Sequence, residues 1–154
     1  MLNIPNKFSF VICDDDPEDQ TLILDAIRAI DITIEYTSVF NGIQLIDLLE
    51  KNGVYKHNNQ AQPDAIILDI NMPVMDGLSA LREIKKNNLL KEIPVFILYT
   101  LRKDDYTAAC RELGVSGIYV KPSTAEGLKN ILLEIYKICG GADVILKTQS
   151  SLTL

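Results

Sequence analysis

The feature that most constrains this chain is a regular alternation of short apolar runs with longer segments of helical spacing. The runs are Phe8–Cys13, Ile32–Phe40, Ala65–Leu68, Pro94–Tyr99 and Gly117–Val120, rich in Ile, Val and Phe and bounded by polar or turn residues. The first, third and fourth are nearly continuous in hydrophobicity, as strands covered on both faces should be. Between the runs, apolar residues recur at three- and four-residue steps. They are Leu22, Ile23, Ala26, Ile27 and Ile30; Ile43, Ile46 and Leu49; Leu78, Leu81 and Ile84; and Leu128, Ile131, Leu132, Ile135 and Ile138. A β-α unit repeated five times predicts an α/β fold, a doubly wound parallel sheet with right-handed crossovers.

Local punctuation agrees with this plan. Asp16 before Pro17 reads as an N-cap with proline at the first helical position. Ser123 with Glu126, and Asn41 with Gln44, have capping-box spacing. Gly114 and Gly140 are the expected stops of the fourth and fifth helices. The connection Asn52–Pro63 is longer than most. The 154 residues suit one domain. Residues 1–140 read as that domain and 141–154 as a loosely held tail.

Composition narrows the chemistry. The net charge of −6 argues against a nucleic-acid surface, which is usually basic. Cys13, Cys110 and Cys139 are far apart and each sits in an apolar pattern, as buried thiols in a reducing compartment do. With His57 the sole histidine and no ligand-spaced cysteines, a zinc site is not expected. The start MLNIPNKFSF lacks the apolar run of a signal peptide, and no stretch of 18 apolar residues exists. The expectation is a cytoplasmic protein without membrane contact.

Charged residues gather at the ends of the predicted strands. Asp14, Asp15 and Asp16 follow the first run, Asp69 the third and Lys121 the fifth. In open α/β sheets, ligand sites lie outside the carboxyl ends of the strands, where strand order reverses. If strands 1 and 3 are neighbours, Asp14, Asp15 and Asp69 converge on one cleft. Carboxylates so close repel each other unless a cation joins them. A hard divalent ion fits, and Mg²⁺ best, since it takes few carboxylates and keeps several waters. Asp16 is accounted for as a cap. Asp69 is not, because Asp76 already stands before the third helix as a separate cap. Lys121, between Val120 and Pro122, is placed to reach the cleft.

Four motifs in this order, VICDDDPED, ILDINMPVMDG, IPVFILYT and GIYVKP, resemble those of the receiver domains of two-component response regulators. The resemblance spans about residues 8–139 and implies a flavodoxin-like sheet of order 2-1-3-4-5 with five helices. It implies that Asp69 is a phosphoacceptor and that Asp14 and Asp15 hold Mg²⁺. Asn71 would offer its backbone carbonyl to the metal. Lys121 would pair with Asp69 and then with a phosphoryl oxygen, with the Lys121–Pro122 bond often cis in such proteins. The partners implied are a sensor histidine kinase or a histidine phosphotransfer protein, and a downstream protein reached by direct contact. No output domain is apparent, as in stand-alone receivers, and a monomer or weak homodimer is expected. Catalysis would be limited to the protein's own phosphorylation and dephosphorylation.

The sequence departs from the family pattern at two places. Where Thr or Ser usually ends the fourth strand stands Tyr99, with Thr100 one residue later. Where an aromatic residue usually precedes the lysine by three stands Ile118, followed by Tyr119. A one-residue offset in a strand changes face. Either a bulge brings Thr100 to the site, or Tyr99 fills that space and the usual coupling is altered. Two rival functions follow: a receiver-fold interaction module with an impaired switch, and a phosphohydrolase with an aspartate nucleophile. The second is weakened by Asn71, which stands where such enzymes carry a second carboxylate.

Overall fold

The computed structural model describes residues 7–31, 33–100 and 106–141. The tail expected at 141–154 lies, from residue 142 onward, outside them. Five strands, β1 (Ser9–Cys13), β2 (Glu35–Val39), β3 (Ala65–Leu68), β4 (Val95–Tyr99) and β5 (Gly117–Val120), alternate with five helices. The helices are α1 (Pro17–Ile30), α2 (Gly42–Glu50), α3 (Gly77–Lys86), α4 (Thr107–Glu112) and α5 (Ala125–Tyr136). All strand pairs are parallel, in the order β2-β1-β3-β4-β5. The flavodoxin-like order inferred from the resemblance is therefore the observed one.

Strand alternation divides the core in two. Val11, Cys13, Ile66, Leu68, Val95 and Ile97 face α2, α3 and α4. Phe10, Ile12, Ala65, Ile67, Phe96 and Leu98 face α1 and α5. Central β3 is buried at every position, whereas the edge strands β2 and β5 are mostly half-buried. This is why β3 reads as an unbroken apolar run and β2 does not. The observed β2 is shorter than the run at 32–40, because Ile34 N–H donates to the Asp31 carbonyl in a turn (3.2 Å).

The helix starts explain how the loops above the sheet are fixed. Asp16 Oδ1 accepts from Glu18 N–H (2.9 Å), with Pro17 following as expected. Asn41 caps α2 through Gln44 N–H (2.9 Å), and Gln44 Oε1 accepts from Phe40 N–H in return (2.8 Å). Asp76 caps α3 through Ser79 N–H (2.7 Å). The cap of α5 is a correction: Thr124, not Ser123, has the extended backbone and accepts from Gly127 N–H (3.0 Å). The helix therefore starts one residue later, and Glu126 stands in its first turn rather than at the third position of a capping box. Gly114, at φ 78°, follows α4 in the left-handed conformation that glycine adopts without penalty.

Candidate functional site

The parallel ladder brings the site together. Asp69 N–H donates to the Cys13 carbonyl (2.9 Å), extending the β1–β3 pairing by one residue and setting Asp69 beside Asp14. Lys121 N–H donates to the Tyr99 carbonyl (2.7 Å), extending the β4–β5 pairing in the same way. Oxygens of Asp14, Asp15 and Asp69 lie within 4.8 Å of one another. Asp14 and Asp69 are buried, at 2% and 6% exposure, while Asp15 is open to solvent.

Lys121 crosses from β5 to this cluster. Its Nζ is 2.7 Å from Asp19 Oδ2, 2.9 Å from Asp14 Oδ2 and 3.7 Å from Asp69 Oδ2. The Lys121–Pro122 bond, often cis in such proteins, is trans here, with no cis peptide among the described residues. The trans form is the lower-energy one by about 0.5–1 kcal/mol, and from it the lysine already reaches three carboxylates. Asp14 also accepts from Asp16 N–H on Oδ1 (2.9 Å). Asp69 Oδ1 accepts a long bond from Asn71 N–H (3.4 Å).

The electrostatics are unbalanced. Burial pushes the Asp69 carboxyl up to about 6, against the pull of Lys121 and with the help of Asp14. Burial also raises Asp14, although Lys121 and Asp16 N–H oppose it. Burial alone would lower the Lys121 ammonium, but Asp19 and Asp14 outweigh it and hold it above the usual lysine value. One ammonium thus faces three carboxylates, and Asp15 adds a fourth to the cluster. An oxygen-only donor set with surplus negative charge and one open flank suits a hard divalent cation such as Mg²⁺.

Two contributors carried no role in the sequence reading. Asp19 is one; its signal was an acidic residue in the first turn of a helix that begins beside the strand ends. Gln20 is the other. It is buried, and its Nε2 faces the carbonyls of Val39 (2.9 Å), Asp14 (3.1 Å) and Ile12 (3.3 Å). It thereby ties the β1–α1 loop to the end of β2. Its signal was a polar residue in the apolar stripe of α1, three residues before Ile23.

The departures from the family pattern also have a structural outcome. The β4–β5 register runs without an extra residue through Tyr99↔Val120, so no bulge displaces Tyr99. Tyr99 is half-buried and packs on the α2–α3–α4 side of the sheet. With Ile118, Ile70, Asn71 and Cys110 it lines a small cavity whose mouth includes the exposed Thr100. Tyr119 points to the opposite face, where its ring lies 6.5 Å from that of Phe96 under α5. A cavity of about 610 Å³ lies elsewhere, between β2, the end of α2 and the loop before β3.

Comparison with known proteins agrees with this geometry. The family model described as "Response regulator receiver domain" matches residues 10–133. Response regulator Rcp1 from Synechocystis sp. is 31% identical over 118 residues, covering 77% of this chain and 79% of Rcp1. The crystal structure of the phosphorylated cyanobacterial phytochrome response regulator RcpA matches with a TM-score of 0.77 and 30% identity. That match covers 85% of this chain and 92% of RcpA. The Mn²⁺-bound form of Rcp1 matches with a TM-score of 0.74 and 29% identity, over 84% and 91% of the two chains. Carried by the acidic cluster at the β1–β3 switch point and by the match over most of its length, the chain belongs to the response regulator receiver domain family.

Proposed function

We propose that this receiver domain accepts a phosphoryl group on Asp69 from a phosphohistidine of a sensor histidine kinase or histidine phosphotransfer protein. The observation that carries the reading is the Asp69 carboxylate, held at the end of β3 beside Asp14 and Asp15, with the Lys121 ammonium 3.7 Å away. An Asp69 oxygen attacks phosphorus, an O–P bond forms, and the P–N bond to the donor imidazole breaks. The electron pair stays on the imidazole nitrogen, which takes a proton from solvent. Lys121 moves from its carboxylate partners toward the transferred oxygens and neutralises part of their charge.

Asp14, Asp15, Asp69 and the backbone carbonyl of Asn71 would hold Mg²⁺, which would supply the remaining positive charge against the phosphoryl oxygens. The Mn²⁺-bound relative Rcp1 and the phosphorylated relative RcpA support both parts of this reading. Water later attacks the acyl phosphate, releasing inorganic phosphate and regenerating the carboxylate. The protein acts on its own aspartate and not on free phosphate esters, because Asn71 supplies no acid or base. Output passes by contact with a downstream protein. No helix of the described residues is long and apolar enough to cross a membrane, and a cytoplasmic setting suits the proposed donors.

A second reading concerns the readout alone. Tyr99 and Ile118 line one cavity where a hydroxyl and a rotating aromatic ring are usual, so the readout would differ from the usual one even with phosphorylation intact. The test is labelling by acetyl phosphate with Mg²⁺. Labelling that Asp69→Asn abolishes supports the phosphoacceptor reading; a wild-type protein that takes no label leaves the interaction module.

A further inference from the structure

Lys121 is closer to a residue outside the metal-binding set than to any residue within it. Asp19 Oδ2 is 2.7 Å from Nζ, against 2.9 Å for Asp14 and 3.7 Å for Asp69. Asp19 belongs to the first turn of α1, where the helix N-terminus favours a carboxylate. Its side chain is one-third exposed, while those of Asp14 and Asp69 are almost fully buried. The oxygens of Asp14, Asp15 and Asp69 cluster without it.

This arrangement bears on a conflict built into the site. Asp14 Oδ2 holds the lysine, and the same carboxylate is needed for a divalent cation. Two cations cannot crowd one buried carboxylate without strong repulsion. An ammonium has three donors, so a second carboxylate can keep it in place when the first is drawn away.

We propose that Asp19 is a positioning residue that retains Lys121 when a divalent cation takes up Asp14, so that metal and lysine share the site. The inference rests on the phosphoacceptor reading for its purpose. Its physical content is a coupling among Asp19, Lys121 and the metal.

The test is a double-mutant cycle read by calorimetric titration with Mg²⁺ alone, on wild type, Asp19→Asn, Lys121→Met and the double variant. With Lys121 present, Asp19→Asn should weaken Mg²⁺ binding about fivefold, because the lysine then falls back on Asp14. In the Lys121→Met background the same change should have an effect within about twofold, the through-space loss of one charge. Asp19→Glu, which keeps the charge, should restore most of the affinity. An equal loss in both backgrounds overturns the proposal, as does no loss in either. If Lys121→Met does not fold, the Lys121 Nζ protons decide by NMR. With Mg²⁺ they should stay protected in the wild type and exchange faster in Asp19→Asn; no difference overturns the proposal. Labelling of Asp69 by acetyl phosphate is scored separately. A labelled wild type without the coupling sinks this inference alone, whereas an unlabelled wild type sinks the phosphoacceptor reading.

Discussion

Gly77 and Asp69 are in direct backbone contact: a Cβ built on Gly77 would overlap the Asp69 carbonyl oxygen and stand 2.8 Å from Ile70 Cα. Gly77 N–H also donates to the Ile70 carbonyl (2.9 Å), so the start of α3 is fastened to the end of β3. The glycine after Asp76 is therefore required by space beside the acidic cluster. The loop between β3 and α3 can return to the sheet only because this residue has no side chain.

Gly77→Ala should consequently move Asp69. The clash is with backbone, which cannot rotate away. The expected cost is about 1–3 kcal/mol of stability, the range for overpacking, together with loss of Mg²⁺-dependent labelling. Urea unfolding and acetyl phosphate labelling on the same samples check both parts.

Asp69→Asn should stabilise the metal-free protein at neutral pH. Burial raises Asp69 to about 6, so the folded protein holds that proton more tightly than the unfolded chain. Ionised Asp69 thus costs stability above pH 6, and the cost fades as pH falls through 6 toward the ordinary carboxylate value. Thermal melts with chelator should show Asp69→Asn more stable by roughly 1–3 kcal/mol at about pH 7.5. The difference should shrink as pH is lowered toward about 4.

Gln20→Leu keeps the apolar stripe of α1 but removes the amide facing three carbonyls. The expected cost is about 1–3 kcal/mol. Because one of those carbonyls belongs to Asp14, Mg²⁺ affinity should fall as well. Denaturation and metal titration separate the two effects.

Val74 has φ 69° and is 78% exposed, and Met75 N–H donates across it to the Pro73 carbonyl (2.8 Å). A β-branched residue is strained there. Val74→Gly loses little burial and should raise stability by about 1 kcal/mol, after the greater entropy of glycine in the unfolded chain is counted. A shift of the urea midpoint to lower concentration would contradict this.

Most of the architecture was legible because its signals are local. The apolar run Ala65–Leu68 is buried at every position, and Asp16, Asn41 and Asp76 cap the helices that follow them. The cap of α5 was misread because Ser123 and Thr124 are adjacent hydroxyl residues, and only the backbone angles separate them. The grouping of Asp14, Asp15 and Asp69 followed from one assumption, that strands 1 and 3 are neighbours, and they are. The pairing of Lys121 with Asp19 was not legible. It joins residues 102 positions apart and depends on how α1 leans over the strand ends, which no periodicity records. The absence of a bulge before Tyr99 likewise needed the register of β4 on β5.

Asp69 is the residue proposed to receive the phosphoryl group. The direct measurement is to label the protein with acetyl phosphate and Mg²⁺, reduce the acyl phosphate with borohydride, and map the reduced residue by peptide mass spectrometry. Reduction is expected at position 69 and should be absent when Mg²⁺ is chelated. Reduction at Asp14 or Asp15 with Asp69 unmodified, or labelling indifferent to Mg²⁺, would contradict it.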